Sequence, residues 1–408
     1  MSFNIALTGL DAANDDLSVT SNNLANVATV GFKGSRTEFA DLFASTQTGV
    51  SATAIGNGVS VSEVAQQFTQ GNIETTGNNL DLAVSGNGFF IVSNNGALNY
   101  TRDGEFQLNS QNQVVTADGQ NLQVYPPLAN GGFNTGGLSN LTLDTTESAP
   151  LATTTAQVSA NLPADASAPA DAAFSTTDPN SYTNTTSLTV YDSLGAAHTA
   201  SLYFIKGATA NDWTVQLAVD GNAVGTPQTL DYSSSGALTT PANGQITFPG
   251  YTPATGAAQM NMTFDFSNTT QYGGSFGVTA VQQNGYTTGQ LTGINISSSG
   301  VVQAQYTNGN SVNLGQIALA NFPNSQGLEQ LGNASWAASN NSGAPVNGVA
   351  GSSGFGSIQS GSLEESNVDT TSALVDMITA ERDFQANSQM IQTQDQVTQS
   401  IIQMAQQG

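Results

Sequence analysis

The chain of 408 residues contains no cysteine and one histidine, His198. Without thiols there is neither a disulfide nor a structural zinc site, and one imidazole is too few for a histidine-rich metal centre. A Ser-His-Asp triad has only His198 to draw on. That residue stands in Ala196-Ala197-His198-Thr199-Ala200 beside an expected strand and is read as an ordinary exposed histidine. Bases are almost as scarce: 5 Lys and Arg face 29 Asp and Glu, a formal net charge of -24. Lys206 is the only base between Asp103 and Glu381. Nucleic acid and anionic membrane surfaces both require clustered cations, so both are excluded as partners. Charged residues of either sign make up only 8%, against about a quarter in ordinary soluble chains. Asn, Gln, Ser and Thr take their place, which favours water-mediated contacts that slide over ion pairs that lock. No window approaches the ~20 apolar residues of a membrane span. Met1 to Leu7 has neither the basic region nor the apolar run of a cleavable signal peptide.

Other chemistry is missing too. Asp15-Asp16 and Glu364-Glu365 are acidic pairs, but neighbours on a helix do not face each other, so they are read as solvated faces or helix-start charges. Gly86-Asn87-Gly88 is too short to cradle a phosphate, and no P-loop Lys or Thr follows it. No catalytic residue, cofactor or metal is expected, and the chain is not read as an enzyme.

The breakers show the organisation. All 12 prolines lie between residues 31 and 361, and so does every glycine except Gly9 and Gly408. Leu10 to Val30 and Ser362 to Gln407 are free of both, so two helical tails bracket a turn-rich body. In the first tail Phe3, Leu10, Leu17 and Leu24 recur every seven residues, with Ala6, Ala13, Thr20 and Val27 three after each. That is a coiled-coil-like seam. Its other faces are Asn, Asp, Ser and Thr, modest helix formers, so this helix needs a partner to persist. In the second tail Leu374, Met377, Ile378, Phe384 and Ile391 form one stripe, and Met390, Val397, Ile401 and Met404 form a slightly rotated one. This drift suits a straight helix among neighbours, about 40 residues and ~60 Å long.

Between the tails, short alternating runs predict strands: Leu80 to Val84, Phe89 to Val92, Leu202 to Ile205, Trp213 to Leu217, and Met260 to Phe266. Asp118-Gly119, Asp220-Gly221 and Asn308-Gly309 signal turns between them. Composition shifts near Thr145 to Asp178 and near Gln282 to Gly289. The expected fold is a mainly β body of two domains, with an outer domain (146–284) inserted in an inner one (76–145 and 285–355). Connectors at 31–75 and 356–367 lead to a terminal helical core domain (1–30 and 368–408).

Several segments carry a family resemblance. Ser21-Asn22-Asn23-Leu24-Ala25-Asn26-Val27-Ala28-Thr29-Val30-Gly31-Phe32-Lys33 resembles the N-terminal signature of bacterial flagellar rod and hook proteins. The segments Gly361 to Asp369, Met377 to Ser388 and Gln394-Asp395-Gln396 resemble the matching C-terminal signature. Glu381 departs from it, standing where the family often has Gln before Arg. Gly86-Asn87-Gly88-Phe89-Phe90 and Tyr100-Thr101-Arg102-Asp103-Gly104-Glu105-Phe106 are similar to inner-domain motifs of the same family. The size of 146–284, with Gln283-Asn284-Gly285-Tyr286, Leu314 to Phe322 and Gly327-Leu328, points to its hook branch.

The resemblance implies a structural subunit that polymerises into a curved, flexible tube joining motor to filament and enclosing an export channel. It implies export by the flagellar type III apparatus to the outside of the cell. The implied partners are further copies of itself, the rod and hook-filament junction proteins, and a hook cap. The assembly-interface residues expected on this basis are Phe3, Leu10, Leu17, Asn22, Asn23, Leu24, Asn26, Val27, Gly31, Phe32, Lys33, Leu374, Met377, Ile378, Phe384, Ile391, Val397 and Met404. A distal rod protein accounts for the ends but not for 146–284, and a hook-associated axial protein is a further alternative that shares the end signatures. A secreted β-rich adhesin accounts for the polar body but not for the matched ends.

Overall fold

A computed structural model describes residues 2–42, 56–143 and 146–407. Residues 43–55 of the expected first connector, and residues 144 and 145 at the expected inner-outer boundary, lie outside the described residues. Among the described residues there are two α-helices, α1 (Ser2–Ala25) and α2 (Thr370–Gln407), with strands between them. The mainly β body between end helices is borne out. The chain divides into two compact units. One is Met1–Asp144, Ile294–Ala304 and Val312–Gly408; the other is Thr145–Gly293 and Gln305–Ser311.

The first unit is built on a strand buried on both faces. In Phe89–Asn94 the side chains alternate: Phe90 and Val92 enter a cluster with Leu82, Leu122, Ile317 and Leu319, whereas Phe89 and Ile91 enter another with Tyr100, Phe322 and Trp336. Period-two geometry forces that division. Antiparallel neighbours flank the strand, with Ala97–Thr101 on one side and Asn121–Tyr125 and Ser311–Asn321 on the other. The expected strand at Leu80 begins at Leu82, because Leu80 and Asp81 are held in a turn and an isolated bridge.

The expected connectors are not bare linkers. Ser35–Asp41 and Val59–Gln66 form an antiparallel pair with a bulge at Glu38/Phe39. Ser357–Ser360 pairs with Leu82–Ser85, and Ser362–Glu364 pairs with Ile73–Thr75.

The second unit is a sandwich of two five-stranded sheets. Ala197–Lys206 pairs with Asn184–Tyr191 and Asp212–Val219 in one sheet. Met260–Asp265 pairs with Gln245–Tyr251 and, in parallel, with Thr155–Pro163 in the other. Met260, Met262, Phe264 and Phe266 alternate into the interior as their spacing predicts, against Phe204, Trp213, Val215 and Leu217. His198 corrects the sequence reading. It is only 8% exposed, with Nδ1 2.6 Å from Asp220 Oδ2 and Nε2 3.2 Å from Asp192 Oδ2.

α1 stops at Ala25, short of the expected residue 30. The N–H of Asn26 is shared between the carbonyls of Asn22 and Asn23, and the Asn26 side chain also takes the Asn22 carbonyl. Asn side chains that compete for backbone groups end helices in this way. Val27 therefore sits in a turn rather than on the helical seam. α2 begins where the Asp369 carboxylate accepts the Ser372 N–H at 2.7 Å, an N-cap.

Candidate assembly core

The two helices run antiparallel in the first unit. Thr20 and Asn23 lie against Val368, Ser372 and Ala373. Gly9 lies against Asn387, whose Oδ1 would be 2.7 Å from a Cβ added there. Ile5 and Ala6 lie against Ala386, Met390 and Gln394. The residues buried along this pair are small: Ala6, Ala12, Ala13 and Thr20 on α1, and Ala373 and Ala380 on α2. Half-buried Met377, Phe384, Asn387 and Ile391 fill the spaces between, on strict heptad spacing with the two alanines. The drifting pair of stripes expected from the sequence is thus a regular heptad where α2 meets α1.

The large apolar residues mostly look elsewhere. Phe3, Leu374, Ile378, Val397 and Met404 of the expected interface are exposed, and so are Leu7, Val375, Met390, Ile401 and Ile402. Leu10, Leu17 and Leu24 are half-buried. α2 has 38 residues against 24 in α1, so at 1.5 Å per residue it is longer by ~20 Å. Ile5 and Gln394 line one groove, so Ile401 and Met404 lie past the start of α1, with no other described helix beside them. No described helix is long and apolar enough to cross a membrane.

Below the helices lies a buried polar node. Gly31 adopts φ +68, and a Cβ there would come within 2.5 Å of the Asp103 nitrogen, so only glycine fits the crossing. Its N–H donates to the Glu364 carbonyl at 2.8 Å. Two residues on, the ammonium of Lys33 meets Glu364 Oε1 at 2.6 Å and donates to the Thr69 carbonyl at 2.8 Å. Arg102 reaches Glu364 Oε2 at 3.0 Å and donates to the carbonyls of Val84 and Gly86. Gly71 N–H gives Glu364 Oε1 a further donor. Glu364 is fully buried, which corrects its reading as a solvated charge; Glu365 beside it is exposed.

Amides complete the node. Asn23 exchanges two hydrogen bonds with the backbone of Ser35, at 2.6 and 2.8 Å. Asn367 accepts from Gly34 N–H and donates to the carbonyls of Gln67 and Thr69. Burial pushes the pKa values of Lys33 and Arg102 down, and the Glu364 carboxylate opposes it in both. Burial also pushes Asp103 up to about 6, against the relief of its bond from Glu105 N–H, with Glu105, Asp118 and Asp81 adding repulsion.

Of the expected interface residues the structure thus gathers Asn23, Gly31 and Lys33 into one node. Phe32 is half-buried beside it, Asn26 caps the end of α1, and Asn22 is exposed. Arg102 and Asn367 stand in the sequence only as members of longer motifs, and Glu364 reads there as a solvated charge. The one signal in the sequence is the scarcity of bases: Lys33 and Arg102 are two of only five.

These features define a structural subunit, with end helices whose apolar faces are largely uncovered, fixed to a β body through a salt-bridged joint. Among the described residues no group of His, Cys, Asp or Glu is arranged to hold a metal. Family models match in chain order: flagella basal body rod protein at 3–33, flagellar hook protein FlgE/F/G D1 domain at 83–167, flagellar basal body protein FlaE D2 domain at 161–286, and flagellar basal body rod FlgEFG protein C-terminal at 359–404. The flagellar hook protein FlgE of Salmonella typhimurium is 38% identical over 413 residues, covering 98% of this chain and 99% of its own. That of Borreliella burgdorferi is 31% identical over 441 residues, covering 98% of each. The crystal structure of Helicobacter pylori flagellar hook protein FlgE2 has the same fold at a TM-score of 0.52, with 13% identity, over 70% of this chain and 99% of that one. The chain belongs to the flagellar hook protein family, a family of structural proteins and not of enzymes.

Proposed function

We propose that the chain is the hook subunit of a bacterial flagellum, polymerising into a curved, flexible tube that carries motor torque to the filament around an export channel. The observation that carries this reading is the apolar surface left on the helix pair, from Phe3 and Leu7 to Ile401 and Met404. A helix apolar beyond the face its own partner covers needs further neighbours, and identical copies supply them with one repeated contact. The faces of both helices divide accordingly: Ala-lined faces close the pair within the subunit, and the large exposed residues, Phe3, Leu374, Ile378, Val397 and Met404 among them, meet other copies. The node at Glu364 fixes the angle at which the pair leaves the β body.

In this reading 1–30 and 368–408 form the core of the tube, 76–145 and 285–355 an inner domain, and 146–284 an inserted outer domain. The surface of the outer domain, poor in charge and rich in Ser, Thr and Asn, suits contacts that slide as the tube turns. Rod and junction proteins, a cap and the type III export apparatus are its further partners. Electron microscopy of the purified chain under polymerising conditions tests the assignment: curved tubes support the hook, straight rods mean a rod protein, and no polymer refutes both.

A further inference from the structure

The one histidine sits where two sheets of the second unit meet. Asp192 lies in the turn after Asn184–Tyr191, and its Oδ1 is held by the N–H groups of Leu194 and Ala196. Asp220 lies in the turn after Asp212–Val219, and its Oδ1 accepts from Thr199 N–H. Both turns belong to the first sheet, and His198 lies between the two carboxylates. From the second sheet, the Tyr251 hydroxyl donates to Asp220 Oδ2 at 2.9 Å, and the Thr255 hydroxyl beyond that strand donates to Asp192 Oδ2 at 2.7 Å. The Tyr251 ring meets the imidazole edge to face, centroids 5.6 Å apart. Each His198 nitrogen thus points at a carboxylate oxygen that also accepts from the second sheet's last strand residue or from the turn that follows it.

We propose that His198 is a pH-sensitive clamp in the second unit, closed while the imidazole is protonated and both ring nitrogens donate to Asp192 and Asp220, and loosened when the proton leaves. A neutral ring donates through one nitrogen only, so one carboxylate then faces a lone pair. The charged and titratable groups acting on the ring are Asp192, Asp220 and the Tyr251 phenol. The nearest base in sequence, Lys206, sits at the far end of the strand Ala197–Lys206, bound to the carbonyls of Gly207, Thr209 and Asp212. Burial works against the imidazolium, but the hydrogen bonds and charges of the two aspartates outweigh it and raise its pKa. For Asp192 burial is likewise overcome by the bonds from Thr255, Ala196, His198 and Leu194, which bring it down to about 2, and Asp220 is also lowered. The signs fix the window. A raised histidine stabilises fully below its unfolded pKa and loses that contribution as pH rises through the folded one; the lowered aspartates lose theirs only in strong acid. The clamp is closed in mildly acidic solution and opens on the alkaline side of 6.5.

Because the chain has a single histidine, its ring resonances in the full-length monomer can be followed by NMR without ambiguity. The expected midpoint lies above 6.5 and falls in Asp220→Asn. In parallel, hydrogen exchange of the peptide bearing Tyr251, corrected for intrinsic rate, should be slower at about pH 5.5 than at about pH 8.5. His198→Gln, which carries no charge, should exchange alike at both. A midpoint at or below 6.5, or exchange that depends on pH equally in the wild type and His198→Gln, overturns the proposal. If His198→Gln does not fold, Asp220→Asn decides alone: an unmoved midpoint refutes the clamp.

Discussion

Replacing Glu364 by Gln tests whether the node holds the helices to the body. The substitution keeps shape and one acceptor oxygen but removes the only carboxylate between Lys33 and Arg102. Both cations stay buried: the Lys33 side chain is 1% exposed and that of Arg102 is 7% exposed. Breaking a buried pair from one side typically costs ~3–5 kcal/mol, because a charge is left uncompensated. Here two are left. Yet Lys33 keeps the Thr69 carbonyl, and Arg102 keeps those of Val84 and Gly86, so the lower end, about 3 kcal/mol, is expected. Trp336 reports on this unit and Trp213 on the other, so urea unfolding followed by fluorescence in a Trp213→Phe background isolates the effect.

The counter-experiment replaces the whole triad. Lys33→Met, Arg102→Met and Glu364→Leu together remove every desolvated charge, and apolar replacements of buried ion clusters are often neutral or stabilising. The triple variant should therefore recover most of what Glu364→Gln loses. A loss under ~0.5 kcal/mol in the single variant, as at an ordinary surface site, would refute the node as a stabilising joint. So would a triple variant worse than the single.

Other outcomes follow from the same geometry. Met404→Asp or Ile401→Asp should leave monomer unfolding unchanged and abolish polymer formation, scored by sedimentation; normal yield would mean these faces meet nothing. Leu17→Asp should abolish polymerisation while the β body stays folded, since a buried unpaired carboxylate costs several kcal/mol in every subunit. Gly9→Leu should force the helix pair apart at Asn387 and weaken both pairing and assembly, read by helical circular dichroism and microscopy. Asp103, held up to about 6, is strained when ionised, so Asp103→Asn should stabilise at neutral pH and make no difference near pH 4; equal effects at both would refute the buried-carboxyl reading. Replacing 149–288 by a short Gly/Ser linker between Ser148 and Gly289, which are already bridged, should leave a subunit that assembles into tubes that have lost their curvature. Tubes of unchanged shape would place the source of curvature elsewhere.

What the sequence made legible was whatever repeats locally. Breaker-free tails became α1 and α2, and Met260 to Phe266 alternated into the core because both signals are set by neighbours a few residues apart. Turn dipeptides such as Asp220-Gly221 were legible for the same reason, since both residues take positive φ. The node was not, because Lys33 and Glu364 are separated by 331 positions and an ion pair leaves no period in the chain. His198 was misread for a related reason. An imidazole between two acidic turns looks exposed until the hairpins fold those turns onto it and Tyr251 covers them from the opposite sheet.

The helix seam is the most instructive difference. The heptad seam has two rows, large at Phe3, Leu10, Leu17 and Leu24 and smaller at Ala6, Ala13, Thr20 and Val27, and the pair within the subunit closes on the smaller row, burying Ala6, Ala13 and Thr20 with Ala373 and Ala380. Small residues let two helices approach closely, and at Gly9 the Asn387 amide occupies the space a Cβ would take. A pair closed on alanines buries little apolar area per turn, so at ~25 cal/mol per Å2 it is weakly held by that face alone. The large residues then carry the remaining stabilisation only if something covers them. Intrinsic propensity adds little, because the polar faces are Asn, Ser, Thr and Gln. The two patterns on each helix are therefore one design: an inner face selected for closeness, which sets the shape of the subunit, and an outer face selected for area, whose free energy is released only when the next copy arrives. Disrupting the inner face should change what the monomer is; disrupting the outer face should change only what it builds.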